Sequence, residues 1–253
     1  KYIEHCRSMG ITMLPPDINE SGEKFNVVDG RIRFAMSAVK NVGREAVRQI
    51  VADRTAHDPY RSLADFCERQ QLNRKMLESL IRCGALDSLG ETRATMLASI
   101  EHVLELSKRM EEDKQSNQLS LFDFGLSAES QRPEVELTRR PEYPARELLD
   151  MEREMLGFYI SGHPFDVYRP YVARKISHSI SAVFSAEEGQ EITTAGMVRG
   201  VSRRFTKNGQ PMANFVLEDE SAGLRCTLFP RQYERLRDHL AEGCAVVVRA
   251  KVK

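Results

Sequence analysis

The sequence predicts a multidomain α+β chain, with a helical domain built on a repeated hairpin first and a small, incomplete β-barrel after it. Three observations predict this. The pattern Val39-Lys40-Asn41-Val42-Gly43 recurs 47 positions later as Leu86-Asp87-Ser88-Leu89-Gly90, each copy lying between two helices. A polar stretch rich in Gln, Ser, Glu, Arg and Pro then interrupts the helical periodicity. Beyond about residue 191 the apolar period changes from that of helices to that of strands.

Residues 1–34 read as the tail of a preceding domain. A short helix ends near Gly10, the turn Pro15-Pro16-Asp17 follows, and the hairpin from Phe25 to Phe34 has Asp29-Gly30 at its tip, where positive φ is needed. Residues 35–113 read as the helical domain. Ala46, Val47, Ile50 and Val51 recur at helical spacing after Gly43, and Ser62 to Asp65 form a capping-box start. Asn73 caps a third helix that carries Leu77, Leu80 and Ile81 on one face and closes at Gly84. A longer helix runs roughly from Thr92 to Glu112. Residues 114–144 read as a mobile linker and residues 145–190 as a helical connector, with a helix from about Ala145 to Leu156. Residues 191–253 carry strands at Ile192–Phe205, Ala213–Glu218 and Leu224–Phe229, a helix at Gln232–Leu240 and a last strand at Ala245–Val252. This order suits an oligonucleotide-binding (OB) Greek-key barrel lacking its fifth strand.

Composition bounds the function. Among 253 residues, 41% are hydrophobic and 29% charged, and the longest apolar runs fall far short of the roughly 18 residues that a membrane span needs. No secretory leader is visible, so the expected location is cytoplasmic, with no membrane partner. Cys6, Cys67, Cys83, Cys226 and Cys244 form no C-x-x-C pair and have no His at ligand spacing, which reads as reduced core residues rather than zinc ligands or disulfides. With 37 basic and 37 acidic residues, contact with nucleic acid must come from local clustering. The chain starts at Lys1 within helix-like sequence and stops at Lys253 within an alternating apolar run, which reads as an internal piece of a longer protein.

The repeated pattern has the arrangement of a helix-hairpin-helix, in which amides at the N-terminus of the following helix receive a phosphate oxygen without reading sequence. Gly43 and Gly90 are where a side chain would obstruct the approach of backbone to DNA. Asn41 tolerates left-handed φ and Ser88 does so poorly, so the first copy is the stronger grip. The candidate DNA-binding residues are Lys40, Asn41, Gly43 and Arg44 in the first copy and Ser88, Gly90 and Arg93 in the second. Residues 31–54 hold six basic residues against two acidic ones. The alternative is an ordinary helix connection with Gly as a cap. Exposure of the hairpin amides beside Lys40 and Arg44 decides between them.

Gln118-Leu119-Ser120-Leu121-Phe122 is an apolar island in polar sequence and reads as a docking peptide. Its alternative is packing of Leu121, Phe122 and Phe124 against the 92–112 helix. In the barrel, Arg199, Arg203, Arg204 and Lys207 with Phe205 and Phe215 suit single-stranded DNA, whose bases stack while its phosphates meet cations. A solvated edge with core aromatics is the competing reading, and side-chain direction decides. Glu218-Asp219-Glu220 reads as a turn rather than a two-metal cluster, and the lone His163 as structural. No nucleophile and no metal ligand is assigned.

Leu14-Pro15-Pro16-Asp17-Ile18-Asn19, the two hairpins, Gln118 to Phe122, and Leu156-Gly157-Phe158-Tyr159-Ile160-Ser161-Gly162-His163-Pro164 together resemble the DNA polymerase III alpha subunits, the replicative C-family of bacteria, over essentially the whole chain. The resemblance implies the end of a fingers domain, a clamp-binding domain with tandem hairpins, and an OB barrel near the template. It implies that Gln118 hydrogen-bonds at a pocket rim on the sliding clamp (the beta subunit) while Leu121 and Phe122 fill an apolar cleft. The intact protein is then a DNA-directed DNA polymerase whose palm aspartates and Mg²⁺ precede Lys1, with no catalytic residue or cofactor in these residues. Its implied partners are duplex DNA, single-stranded template, the clamp and other replicase subunits. Family members usually have Gly where Asn41 and Ser88 stand. An error-prone paralogue and a non-enzymatic DNA-repair adaptor remain as alternatives, while RNA binding through the barrel leaves the hairpins unexplained.

Overall fold

The computed structural model describes residue 6, residues 9–115 and residues 136–252; the peptide Gln118 to Phe122 lies outside them. Two compact units result, one of residues Thr12–Ser161 and one built mainly on residues 162–252.

The first unit opens with a small sheet of order β1-β3-β2, formed by β1 (Met13–Leu14), β2 (Asn26–Val28) and β3 (Arg31–Arg33). Asp29 and Gly30 turn β2 into β3 at φ 48 and 73, as the Asp-Gly pair requires. The helices follow: α1 (Arg44–Ala56), α2 (Leu63–Arg69), α3 (Arg74–Arg82), α4 (Arg93–Gln115) and α5 (Ala145–Leu156). Short 3₁₀ turns at Met36–Ala38 and Asp87–Leu89 precede α1 and α4. Ser62 Oγ accepts the Asp65 amide at 3.1 Å and Asn73 Oδ1 accepts the Met76 amide at 2.9 Å, which starts α2 and α3. Left-handed Gly84 and Gly157 follow the ends of α3 and α5. Ile18 and Phe34 from the sheet region share one core with Val47, Leu77, Met96 and Met155 of the helices, so residues 12–34 and the helical residues pack as one body.

Residues 136–144, read from composition as linker, lie along α4. The Thr138 amide donates to Ser99 Oγ and the Arg140 amide to Thr95 Oγ1, both at 2.9 Å. The Thr95 hydroxyl returns a bond to the Arg140 carbonyl at 3.1 Å. Thr95 and Ser99 sit one helical turn apart and offer an extended chain the partners it lacks on its own.

Past α5, the run 157–161 folds around Glu152. This carboxylate is 1% exposed and accepts the Ile160 amide, the Ser161 amide at 3.1 Å and the Ser161 hydroxyl. Phe158 meets Phe34 edge-on at 5.6 Å. One buried anion thus takes two amides and a hydroxyl at the end of the run that the sequence singles out.

The second unit contains α6 (Arg169–Val172), α7 (Ile180–Val183), β4 (Glu191–Phe205), β5 (Pro211–Glu218), β6 (Gly223–Leu228), α8 (Pro230–Leu236) and β7 (Ala245–Lys251). The four strands pair antiparallel in the order β6-β5-β4-β7. Val198, Leu217 and Ile180 pack on one face, and Ala195, Met197 and Phe165 on the other. Gly196 is required where the strands and α7 close in, because a Cβ there would stand 2.7 Å from the Glu218 carbonyl oxygen. β4 bulges between Arg199 and Ser202, with Gly200 at φ 61 and the Glu242 carboxylate receiving the Gly200 and Val201 amides at 3.2 Å each.

The acidic triplet is a turn. Asp219 accepts the Ser221 and Ala222 amides at 2.8 and 3.0 Å and the Ile180 amide at 3.0 Å, while Glu220 pairs with Arg169. His163 is buried, accepts the Phe165 amide at Nδ1 and lies 3.4 Å from Glu218 through Nε2. Among the described residues no group of three His, Cys, Asp or Glu side chains is placed to hold a metal ion, and no helix is long and apolar enough to cross a membrane.

Candidate nucleic-acid interface

The first hairpin is made by burying Val39 and Val42 and leaving what lies between them in solvent. Asn41 takes φ 65, and its side-chain amide donates to Ser79 Oγ on α3 at 3.1 Å, so the left-handed residue also ties the turn down. The Lys40 amide donates to the Met155 carbonyl at the end of α5 at 3.0 Å. Gly43 is the N-cap of α1 at φ −78, ψ 144, a conformation open to any residue, and a Cβ built on it meets nothing within 4 Å. Packing therefore gives no reason for glycine here. The amides of Arg44, Glu45 and Ala46 have no protein acceptor among the described residues, and no side chain caps α1. They point out of the helix N-terminus, where the macrodipole favours an anion.

Charge counting along 31–54 overstates the positive field. Arg48 forks onto Glu23 at 2.9 and 3.1 Å, Arg33 pairs with Glu20, Arg31 lies 3.6 Å from Asp29, and Arg54 donates to the carbonyls of Ile18 and Ser21. Lys40 and Arg44 are exposed and make no ion pair among the described residues, although the Glu23 carboxylate held by Arg48 also feels the charge of Arg44. They flank the open amides of α1.

The second hairpin repeats the sequence pattern with a different turn and different surroundings. Gly90 is left-handed at φ 87, closing the Asp87–Leu89 turn, and Ser88 is exposed without positive φ. Arg93 departs from its expected outward role. It is 7% exposed, donates to Asp87 at 2.6 and 2.9 Å and to the Arg82 carbonyl at 3.1 Å. Burial opposes its charge, and the Asp87 carboxylate outweighs that and holds the guanidinium pKa above its ordinary value. The amides that open α4 are occupied. Glu142 accepts the Arg93 amide at 2.8 Å and the Ala94 amide at 3.2 Å, and Thr92 Oγ1 accepts the Thr95 amide at 3.0 Å. Sequence reading missed Glu142, which lies 49 positions from Arg93 in a stretch marked only by its polarity.

On the barrel, Arg203, Arg204 and Lys207 are exposed, Arg199 is half-buried, and Phe205 is 74% exposed at the tip of β4. Phe215 is buried in the core on the same sheet face, and Phe205 stands beyond the covered part of that face. Strand register sorts the rest. Arg199, Val216 and Arg225 form one row across β4, β5 and β6, and Ser202, Asn214 and Thr227 the next. Arg204 shares that face, whereas Arg203 and Phe205 fall on the opposite one. Arg225, Asn214 and Thr227 were not singled out from the sequence, because which strand faces share a row is fixed by pairing register.

Comparison with known proteins gives two family models and a set of relatives. A helix-hairpin-helix motif model matches residues 10–96, and an OB-fold nucleic acid binding domain model matches residues 192–253. A DNA polymerase III subunit alpha of Saccharopolyspora erythraea is 36% identical over 262 aligned residues, covering 99% of this chain and 22% of its own length. The counterpart of Thermus aquaticus is 38% identical, covering 100% of this chain and 21% of its own, and that of Bacillus subtilis is 35% identical, covering 99% and 22%. The chain thus spans about a fifth of the length of the curated relatives it matches.

Proposed function

Because the chain is homologous over essentially its whole length to one segment of the DNA polymerase III alpha subunit, we propose that it is the part of a replicative polymerase that grips duplex DNA through its first hairpin. The observation that carries the reading is the open N-terminus of α1, where three amides lack an acceptor among the described residues and lie between two exposed cations, Lys40 and Arg44. A phosphate oxygen placed there takes amide hydrogen bonds and meets positive charge. The contact reads no bases, as a polymerase that travels along any sequence requires.

The barrel meets single-stranded template in this reading, with Phe205 as a stacking surface and Arg199, Arg203, Arg204 and Lys207 near the phosphates. Gln118, Leu119, Ser120, Leu121 and Phe122 dock on the sliding clamp, and simultaneous DNA contact raises the effective concentration of that weak peptide. Other replicase subunits complete the assembly, in the cytoplasm. The intact protein is then a DNA-directed DNA polymerase. The Mg²⁺ which that activity implies finds no ligand set among the described residues. A DNA-repair adaptor assembled from hairpin and barrel modules would match relatives module by module, whereas alpha subunits match 98% or more of this chain in single alignments.

The test is the salt dependence of binding to a duplex oligonucleotide. Each neutralised phosphate contributes a slope of about 0.9 in log K against log salt, so Lys40→Ala with Arg44→Ala should flatten the slope by roughly 2. An unchanged slope removes the first hairpin from the interface. For the clamp, Gln118→Ala with Phe122→Ala should abolish binding to the cognate clamp, and retention of native affinity refutes that part.

A further inference from the structure

The two hairpins share a sequence pattern and differ in what stands before the helix that follows. Ahead of α1, among the described residues, there are two exposed cations and three amides without acceptors. Ahead of α4 there is the carboxylate of Glu142, with Oε2 at 2.8 Å from the Arg93 amide and Oε1 at 3.2 Å from the Ala94 amide, the latter oxygen also accepting the Tyr143 amide at 2.9 Å. Two carboxylate oxygens on successive helix-start amides reproduce the way a phosphate would be held at this position. The cation has been withdrawn as well, since Arg93 turns inward to Asp87. Glu142 is exposed, yet its position is fixed from both sides. The Arg140 backbone is bonded to Thr95 through its amide and to Thr92 and Thr95 through its carbonyl, Arg139 pairs with Glu91 at 3.1 Å, and α5 begins at Ala145.

We propose that Glu142 is an intramolecular phosphate surrogate that silences the second hairpin, so that the native chain grips duplex DNA with the first hairpin alone. The proposal rests on the reading of the first hairpin as a phosphate grip and adds that its repeat is held shut by the chain's own strap, residues 136–144. A DNA phosphate that approached α4 would have to displace a tethered carboxylate from the amides, whereas at α1 the nearby Glu23 and Glu45 pair with Arg48 and accept none of the helix-start amides among the described residues.

Glu142→Ala and the milder Glu142→Gln, which keeps one acceptor oxygen, test this in the 253-residue chain. Glu147→Ala, one exposed carboxylate away on the first turn of α5, controls for bulk charge. The readouts are duplex affinity across a salt series and the ¹⁵N-resolved amide signals of Arg93 and Ala94 during titration with inorganic phosphate. Glu142→Ala should tighten duplex binding several-fold, steepen the salt slope by about 0.9, one extra phosphate, and make both amides respond saturably to phosphate. Glu142→Gln should follow in part, and Glu147→Ala should do neither. A Glu142→Ala chain that binds DNA no differently from Glu147→Ala, with amides blind to phosphate, overturns the proposal. The Lys40→Ala, Arg44→Ala chain separates this from its premise: if that pair leaves native binding intact, the first-hairpin reading falls, while the phosphate titration still judges Glu142 by itself.

Discussion

Gly43→Ala separates the grip from the fold more sharply than any charge change. The substitution adds one methyl group at the N-cap of α1, where φ −78, ψ 144 suits alanine and no heavy atom lies within 4 Å of the new Cβ. The folding cost is the difference between Gly and Ala as N-caps, about 0.5–1 kcal/mol. In a unit of roughly 150 residues that lowers the melting temperature by about 1–4 °C. The DNA cost is larger, because the methyl stands where the phosphate must approach the amides. Loss of a charged hydrogen bond, about 1.5–3 kcal/mol, weakens binding by roughly 10- to 150-fold, at 1.4 kcal/mol per decade. Fluorescence anisotropy with a labelled duplex, alongside thermal unfolding of the same sample, reads both numbers. A folded Gly43→Ala chain that binds duplex within about twofold of native refutes the reasoning, since glycine would then serve neither packing nor DNA.

Three further outcomes follow from the packing. Phe205→Ala removes an exposed ring and should weaken single-stranded DNA by about 1–3 kcal/mol while leaving duplex affinity alone; equal losses on both substrates place the ring elsewhere in the interface. Glu152→Ala strands the Ile160 and Ser161 amides in a buried site and should cost roughly 2–5 kcal/mol in denaturant unfolding; a loss below 1 kcal/mol shows that water replaces the carboxylate. Burial pushes the Cys67 and Cys83 thiols up to about 12, so at pH 8 only about one in 10⁴ is a thiolate. Alkylation followed by mass spectrometry should mark both only after unfolding, and a modified Cys67 or Cys83 in the folded chain contradicts their burial.

What the sequence made legible was local. The Asp29-Gly30 turn, the caps Ser62 and Asn73, the left-handed Gly84, and a helix at Ala145–Leu156 are each decided within about four residues, so the pattern contains its own cause. Strand positions in the barrel were legible for the same reason, because alternation is a nearest-neighbour property. Illegible were the partners chosen at distance. Arg48 reaches back 25 positions to Glu23 and Arg54 reaches back 36 positions to Ile18, so a local excess of basic residues dissolves once each charge has found its neighbour. The strap along α4 escaped notice because its composition resembles that of unstructured sequence, while its order comes from Thr95 and Ser99 on another element.

The hairpins show most clearly where pattern stops and electrostatics begins. The order apolar, two variable, apolar, Gly encodes a turn, because Val39 and Val42 in one copy and Leu86 and Leu89 in the other must face the core while the residues between them cannot. It says nothing about what faces the helix that the turn introduces. A helix N-terminus attracts whichever anion is nearest at the lowest entropic cost, and a carboxylate on the same chain, held by the Arg140 backbone bonds two residues away, is already in place before any DNA arrives. Among the described residues no carboxylate accepts the amides of the first hairpin's helix, which is what the proposed phosphate grip requires. If the turn binds phosphate as proposed, duplicating it doubles the number of grips only where the surrounding chain leaves both helix starts empty, and among the described residues only that of α1 is empty.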